Sequence, residues 1–116
     1  TRLAETIRTW ADKVSFMVPS HDPTDDRFDP ARYWRGPVWA IVNYMVAEGF
    51  AINGHTALAQ RITQDTLALM RGDGFYEYFN PVTGAGCGGD RFSWTAAVWL
   101  LMNKAGTNEQ KDGGET

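Results

Sequence analysis

Glu77 is the carboxylate of this sequence best placed to do chemistry. It lies within Phe75-Tyr76-Glu77-Tyr78-Phe79-Asn80-Pro81, where the rings of Tyr76, Tyr78 and Phe79 can hold it and exclude bulk water. A carboxyl enclosed in that way suits general acid–base work. The plainer alternative is a surface glutamate in a turn. A second group is Tyr33-Trp34-Arg35-Gly36-Pro37-Val38-Trp39. Arg35 there is suited to a hydroxyl or to a bidentate hold on a carboxylate. Trp34 precedes an apolar run and is the better ligand-stacking candidate. Trp39 is read as lying on the helix that follows, where core packing explains it equally well. A third group, Phe92-Ser93-Trp94-Thr95-Ala96, offers Trp94 as either a support for a site or a packing residue.

Other side chains have simpler explanations. The glycines at 84, 86, 88 and 89 lack a preceding strand and a following Lys-Ser/Thr, so a nucleotide loop is set aside. A turn that lets backbone approach closely beside Glu77 is the more natural reading. Asp22, Asp25, Asp26 and Asp29 alternate with prolines but lack the glycine and terminal glutamate of a calcium loop, so turn chemistry is expected. Cys87 has no neighbouring histidine and reads as an ordinary thiol. His21 and His55 show no metal-ligand spacing. No metal and no cofactor is expected.

The whole chain of 116 residues is 43% hydrophobic and 22% charged, which is globular rather than disordered. Aromatics make up 13%, enough to serve both a core and a surface for flat ligands such as sugar rings. A net charge of −3 without a basic cluster argues against a nucleic-acid partner. The longest apolar run, Val38 to Ala47, is too short to span a membrane. A single cysteine fits a reducing compartment, and a cytoplasmic location is expected. The chain lacks an initiator Met and opens on helix, so a fragment or a processed product is expected.

These residues must be positioned by four helical segments. Leu3, Ile7, Trp10 and Val14 form one apolar stripe, and Leu58, Ile62 and Leu69 form another, each with a polar opposite face. The runs Val38–Val46 and Ala96–Met102 are apolar around the whole circumference and are expected to be buried on all sides. Gly36-Pro37 fits the start of the first of these, and Ser93 or Thr95 could cap the second. No period-2 hairpin is evident. Half-wet and buried helices thus alternate, as outer and inner layers. Long loops, roughly 17–36 and 72–92, lead from outer to inner helices and open on one side, the candidate active face. Residues 105–116 have no apolar anchor and are expected to form a flexible tail. The domain is placed at residues 1–104.

YWRGPVW, the YEYFNP-type segment, the Gly-rich turn and FSWTA, in that order and spacing, resemble glycoside hydrolase family 63. The likeness is to its mannosylglycerate and glucosylglycerate hydrolases and, more distantly, to trehalases. It covers most of Tyr33 to Leu101. The resemblance implies an all-α fold, part of an (α/α)6 toroid with about two of its helix pairs, outer and inner helices alternating. It implies an inverting hydrolase of α-linked glucosyl or mannosyl substrates, with Glu77 as general base. Tyr33, Trp34, Arg35, Gly36, Trp39, Tyr76, Tyr78 and Trp94 are then the substrate-binding candidates. Inversion needs two carboxyls roughly 6.5–9.5 Å apart, and none of Asp12, Asp22 or Asp29 sits in the family's acid motif. A six-pair toroid needs about twelve helices. The expected partners are therefore a carbohydrate and the remainder of the same catalytic domain. In isolation, little activity and self-association are expected. The alternative is a non-catalytic carbohydrate-binding or regulatory piece of the same fold. Trehalase, processing α-glucosidase and debranching activities stay open, with FSWTA leaning toward glycosylglycerates.

Overall fold

The computed structural model describes the backbone of residues 2–114, and side chains as far as Lys104. In chain order the elements are α1 (Arg2–Ala11), α2 (Ala40–Ile52), α3 (Thr56–Asp73), β1 (Tyr78–Phe79), β2 (Gly86–Cys87) and α4 (Ser93–Gly114). The segment expected as a tail lies outside the residues whose side chains are described.

Amphipathic spacing builds α1 and α3. In α3 the buried edge includes Leu58, Ile62 and Leu69, as its pattern requires. In α1 the edge runs through Ala4 and Ile7 and ends at Val14, just beyond the helix, while Leu3 is exposed. The expected stripe is therefore corrected by one position. Ala4 and Leu3 are both one turn from Ile7, and it is Ala4 that faces α2 and α3.

Two apolar cores hold the helices together. Ala4, Ile7, Val14 and Met17 pack with Ala47 and Phe50 of α2 and with Leu58, Ala59 and Ile62 of α3. Val38, Ala40, Leu69, Met70, Phe79, Val98 and Met102 form the second, which joins both long loops to α2, α3 and α4. The short α2–α3 connection ends its helix as expected. Asn53 donates its N–H to Gly49, and Gly54 takes a left-handed φ of 85°.

Three further expectations need correction. First, Pro37 does not open α2. Val38 exchanges both backbone hydrogen bonds with Phe79, at 2.8 and 2.9 Å, and Trp39 is extended with φ −112° and ψ 119°. Committed to a strand-like bridge, Val38 cannot also be helical, so α2 begins at Ala40 and Trp39 lies before it. Second, a small hairpin exists: β1 pairs antiparallel with β2, Tyr78 opposite Cys87 and Phe79 opposite Gly86. Two-residue strands are too short to show a period in the sequence.

Third, α2 and α4 are not covered on all sides in this chain. Met45 and Ile52 on α2, and Trp94, Leu100 and Leu101 on α4, are exposed; Ile52 reaches 83%. The four helices and two loops present cover only one face of each apolar helix.

Asn43, the polar break in the α2 run, is fully buried and holds the first long loop. Its Nδ2 donates to Met17 O at 2.8 Å and Thr66 Oγ1 at 2.7 Å, and its Oδ1 accepts from Val18 N at 3.1 Å. Asp65 adds a bond from Met17 N at 2.8 Å and is itself paired with Arg61 at 2.7 Å. A buried amide with its hydrogen bonds satisfied fixes where that loop leaves α1. Among the described residues, no helix is long and apolar enough to cross a membrane.

Candidate active site

The two long loops meet at the Val38–Phe79 bridge, which brings the first aromatic motif against the Glu77 segment. Phe79 is completely buried beneath the bridge and Tyr78, next to it, points into a ring cluster. Trp39 is held there between neighbours. It stacks on Trp34 with centroids 4.0 Å apart and planes 6° apart, and on Tyr78 at 5.1 Å and 24°. Tyr33 meets Trp34, Trp39 and Tyr78 edge-on, at 6.0, 4.9 and 5.5 Å. Stacked and edge-on pairs are the favoured geometries of aromatic quadrupoles. Trp39 Nε1 donates to Tyr33 O at 3.0 Å, so its polar end is satisfied within the cluster.

Exposure divides the roles. Trp39 is 7% exposed, whereas Trp34 is 48% exposed and presents ring surface outward. Tyr33 carries a positive φ of 38°, a sparsely populated conformation for a residue with a Cβ. The turn that forces it is tight: Arg35 N donates to Arg32 O and Asp29 N to Arg35 O, both at 2.8 Å. Gly36 sits beneath this turn, where a Cβ would collide with the Asp29 carbonyl. Its part is to let backbone pass, and its N–H donates to Ser20 Oγ at 3.2 Å.

Glu77 is half-buried, immediately before β1. Its N–H donates to Gly89 O at 2.8 Å. The residues before it are tied to the start of α4: Thr95 Oγ1 donates to Tyr76 O at 2.8 Å, and Phe92 N donates to Phe75 O at 2.7 Å. Thr95 is thus a clasp for the Glu77 segment rather than a helix cap. The Tyr76 ring lies over Gly86, where any Cβ would overlap it. Asp73 at the end of α3 accepts from Gly86 N at 2.7 Å and sets the far side of the hairpin.

The remaining candidates are placed differently. The Arg35 side chain is exposed, with Nε 3.4 Å from Arg27 O. Trp94 is exposed on α4, and its ring contact is edge-on with Phe92 at 5.8 Å. The structure therefore brings together Tyr33, Trp34, Trp39, Tyr78 and Glu77, and leaves Trp94 beside a different ring. The glycine run expected as a close-approach turn beside Glu77 does set one member, Gly88, against the Glu77 side chain. Thr95 and Asp73 were not singled out for such positions. Their contacts depend on which loop crosses which, and local sequence carries no signal for that.

Burial pushes the Tyr78 hydroxyl above its ordinary value, and the charges of Cys87, Glu77 and Tyr33 add to the rise. Burial also raises the Cys87 thiol, which keeps it protonated and a poor nucleophile. The acidic stretch of the first loop is turn chemistry. Asp22 Oδ1 accepts from Thr24 N, Asp25 Oδ1 from Arg27 N and Asp29 Oδ1 from Ala31 N. Among the described residues, no group of three or more His, Cys, Asp or Glu could hold a metal ion.

The bridge thus sets a carboxylate, fixed at its backbone, beside a partly exposed aromatic wall. Residues 1–95 match the model of the mannosylglycerate hydrolase MGH1-like glycoside hydrolase domain. The chain belongs to this family. A mannosylglycerate hydrolase from Thermus thermophilus is 52% identical over 102 residues, 88% of this chain and 25% of that protein. A glucosylglycerate hydrolase from Mycolicibacterium hassiacum is 37% identical over 84 residues, 72% of this chain and 19% of its own length. A solved GH63 mannosylglycerate hydrolase from Thermus thermophilus, in complex with Tris and D-glycerate, superposes with a TM-score of 0.86 at 52% identity. That match covers 87% of this chain and 24% of the solved one. The chain thus spans about a fifth to a quarter of the length of these relatives. Its helices are those of part of a family 63 (α/α)6 glycoside hydrolase domain. The matched residues include the whole ring cluster and Glu77.

Proposed function

We propose that this chain supplies the general base, Glu77, and an aromatic wall to an inverting glycoside hydrolase acting on an α-linked mannosyl- or glucosylglycerate. The observation that carries the reading is the Val38–Phe79 bridge, which sets the Glu77 segment against the Trp34–Trp39–Tyr78 stack. The relatives, a mannosylglycerate hydrolase and a glucosylglycerate hydrolase, support the substrate class, and D-glycerate in one solved relative supports its acid end.

In this reading, a water bound by Glu77 gives up a proton to the carboxylate as its oxygen attacks the anomeric carbon. The bond to the leaving oxygen breaks on the opposite face, and a second carboxylic acid protonates that oxygen, roughly 6.5–9.5 Å from the base. The acid is assigned to a part of the longer relatives that this chain does not match. Trp34 offers the stacking face, with Trp39 and Tyr78 behind it. Arg35, next in sequence and exposed, has the donors for the glycerate carboxylate.

The test is Glu77→Gln in the full-length protein. Turnover of mannosylglycerate should disappear while sugar binding persists. Normal turnover in that variant would remove the base assignment. Absence of turnover by the unmutated full-length protein on every α-glycoside, with sugar binding intact, would establish the non-catalytic binding reading instead.

A further inference from the structure

We propose that Gly88 is a positioning residue for Glu77: the bare α-carbon at 88 gives the Glu77 carboxylate its place, and any side chain there displaces it. The proposal rests on the reading of Glu77 as the base. Gly88 follows β2 with a φ of 73°. A Cβ built there would lie 2.8 Å from Glu77 Oε1, 2.8 Å from Tyr78 Cε1 and 3.0 Å from Glu77 Cβ. Those separations are inside van der Waals contact, so something must move.

The backbone of the Glu77 segment is not free to do so. Glu77 N is bonded to Gly89 O, Tyr76 O to Thr95, Phe75 O to Phe92 N, and Phe79 to Val38 in both directions. With the chain pinned at each of these residues, the yielding parts are the Glu77 carboxylate and the Tyr78 ring. A methyl at 88 therefore leaves the fold in place and moves the reacting oxygen. Gly88 touches no substrate in this scheme; it acts through Glu77. Gly54 provides the contrast, since its φ is 85° but a Cβ there would meet nothing within 4 Å. Gly54→Ala carries the same left-handed strain without a carboxylate to disturb.

The experiment uses the full-length protein with mannosylglycerate. Gly88→Ala should lower kcat by about a hundredfold, the scale of loss for a misplacement near 1 Å, while KM changes little. Gly54→Ala should keep the original kcat. On a Glu77→Asp background, where the shorter side chain has already withdrawn, adding Gly88→Ala should cost only a few-fold, because the two changes act on one group. An unchanged kcat in Gly88→Ala, or an equal loss on the Glu77→Asp background, would overturn the proposal. Should Gly88→Ala fail to fold, Gly88→Asn replaces it, since Asn tolerates the left-handed region. Failure of both to fold would also overturn it, by showing that Gly88 serves folding. Loss of turnover in Glu77→Gln with normal turnover in Gly88→Ala removes this proposal alone; normal turnover in Glu77→Gln removes the base reading and this proposal with it.

Discussion

Val38 and Phe79 exchange both of their backbone hydrogen bonds, and this one bridge joins loops that begin far apart in the chain. Both residues are fully buried, so the bonds are shielded from water. On one side of the bridge the chain enters α2; on the other it enters the hairpin. Trp39 and Tyr78, each adjacent to a bridge residue, are thereby brought face to face.

The exposed and buried members of the tryptophan stack should answer differently to truncation. Trp34→Ala in the full-length protein removes a half-exposed stacking ring, worth about 1 kcal/mol, and should raise KM for mannosylglycerate roughly fivefold with little change in melting temperature. Trp39→Ala leaves a hole between Trp34 and Tyr78 and should cost about 3–5 kcal/mol of stability. Parallel urea unfolding and steady-state kinetics distinguish the two. Equal losses of stability would contradict the division of roles.

Asn43→Leu keeps the approximate volume but leaves Val18 N–H and Met17 C=O without their side-chain partner. A buried polar group left unpaired costs about 1–3 kcal/mol. The variant should lose at least that much in chemical denaturation of the full-length protein. An unchanged midpoint would mean that Asn43 does not anchor the first loop.

The raised Tyr78 hydroxyl predicts a loss of stability on the alkaline side. Above the ordinary value of 10.0 the unfolded chain releases this proton while the folded chain still holds it. The folded state then binds more protons than the unfolded one, so stability falls as pH rises. The contribution is complete below the ordinary value and disappears as pH passes through the raised one. Urea midpoints across that range should fall more steeply for the original protein than for Tyr78→Phe.

Met45, Ile52, Trp94, Leu100 and Leu101 leave apolar surface open on α2 and α4. The 116-residue chain alone should therefore associate with itself, and sedimentation velocity should show species larger than monomer. Asp at both Leu100 and Met45 should shift it toward monomer. A stable, well-behaved monomer of the unmodified chain would contradict the assignment of these helices as inner ones.

Much of this molecule follows from local patterns. The apolar spacing of Ile7, Leu58, Ile62 and Leu69 specifies helices with one wet face, because a 3.6-residue period places those side chains on one edge. Asn53-Gly54 specifies the break between α2 and α3, since glycine accepts the left-handed φ at no steric cost. The motif residues from Tyr33 to Thr95 carry the family, and Glu77 stands out by its aromatic neighbours. Tertiary structure decided the rest. Whether Trp39 was helical depended on Val38 finding Phe79, a contact no local period encodes. Whether Trp39 faced outward or packed depended on Trp34 and Tyr78 arriving on it from two loops. Thr95 became a clasp only once the hairpin folded back over the start of α4, and the same folding set Gly88, out of a glycine run already expected beside Glu77, against its carboxylate. Periodicity reports which face of an element is apolar; contacts between distant segments arise only when those faces are packed together.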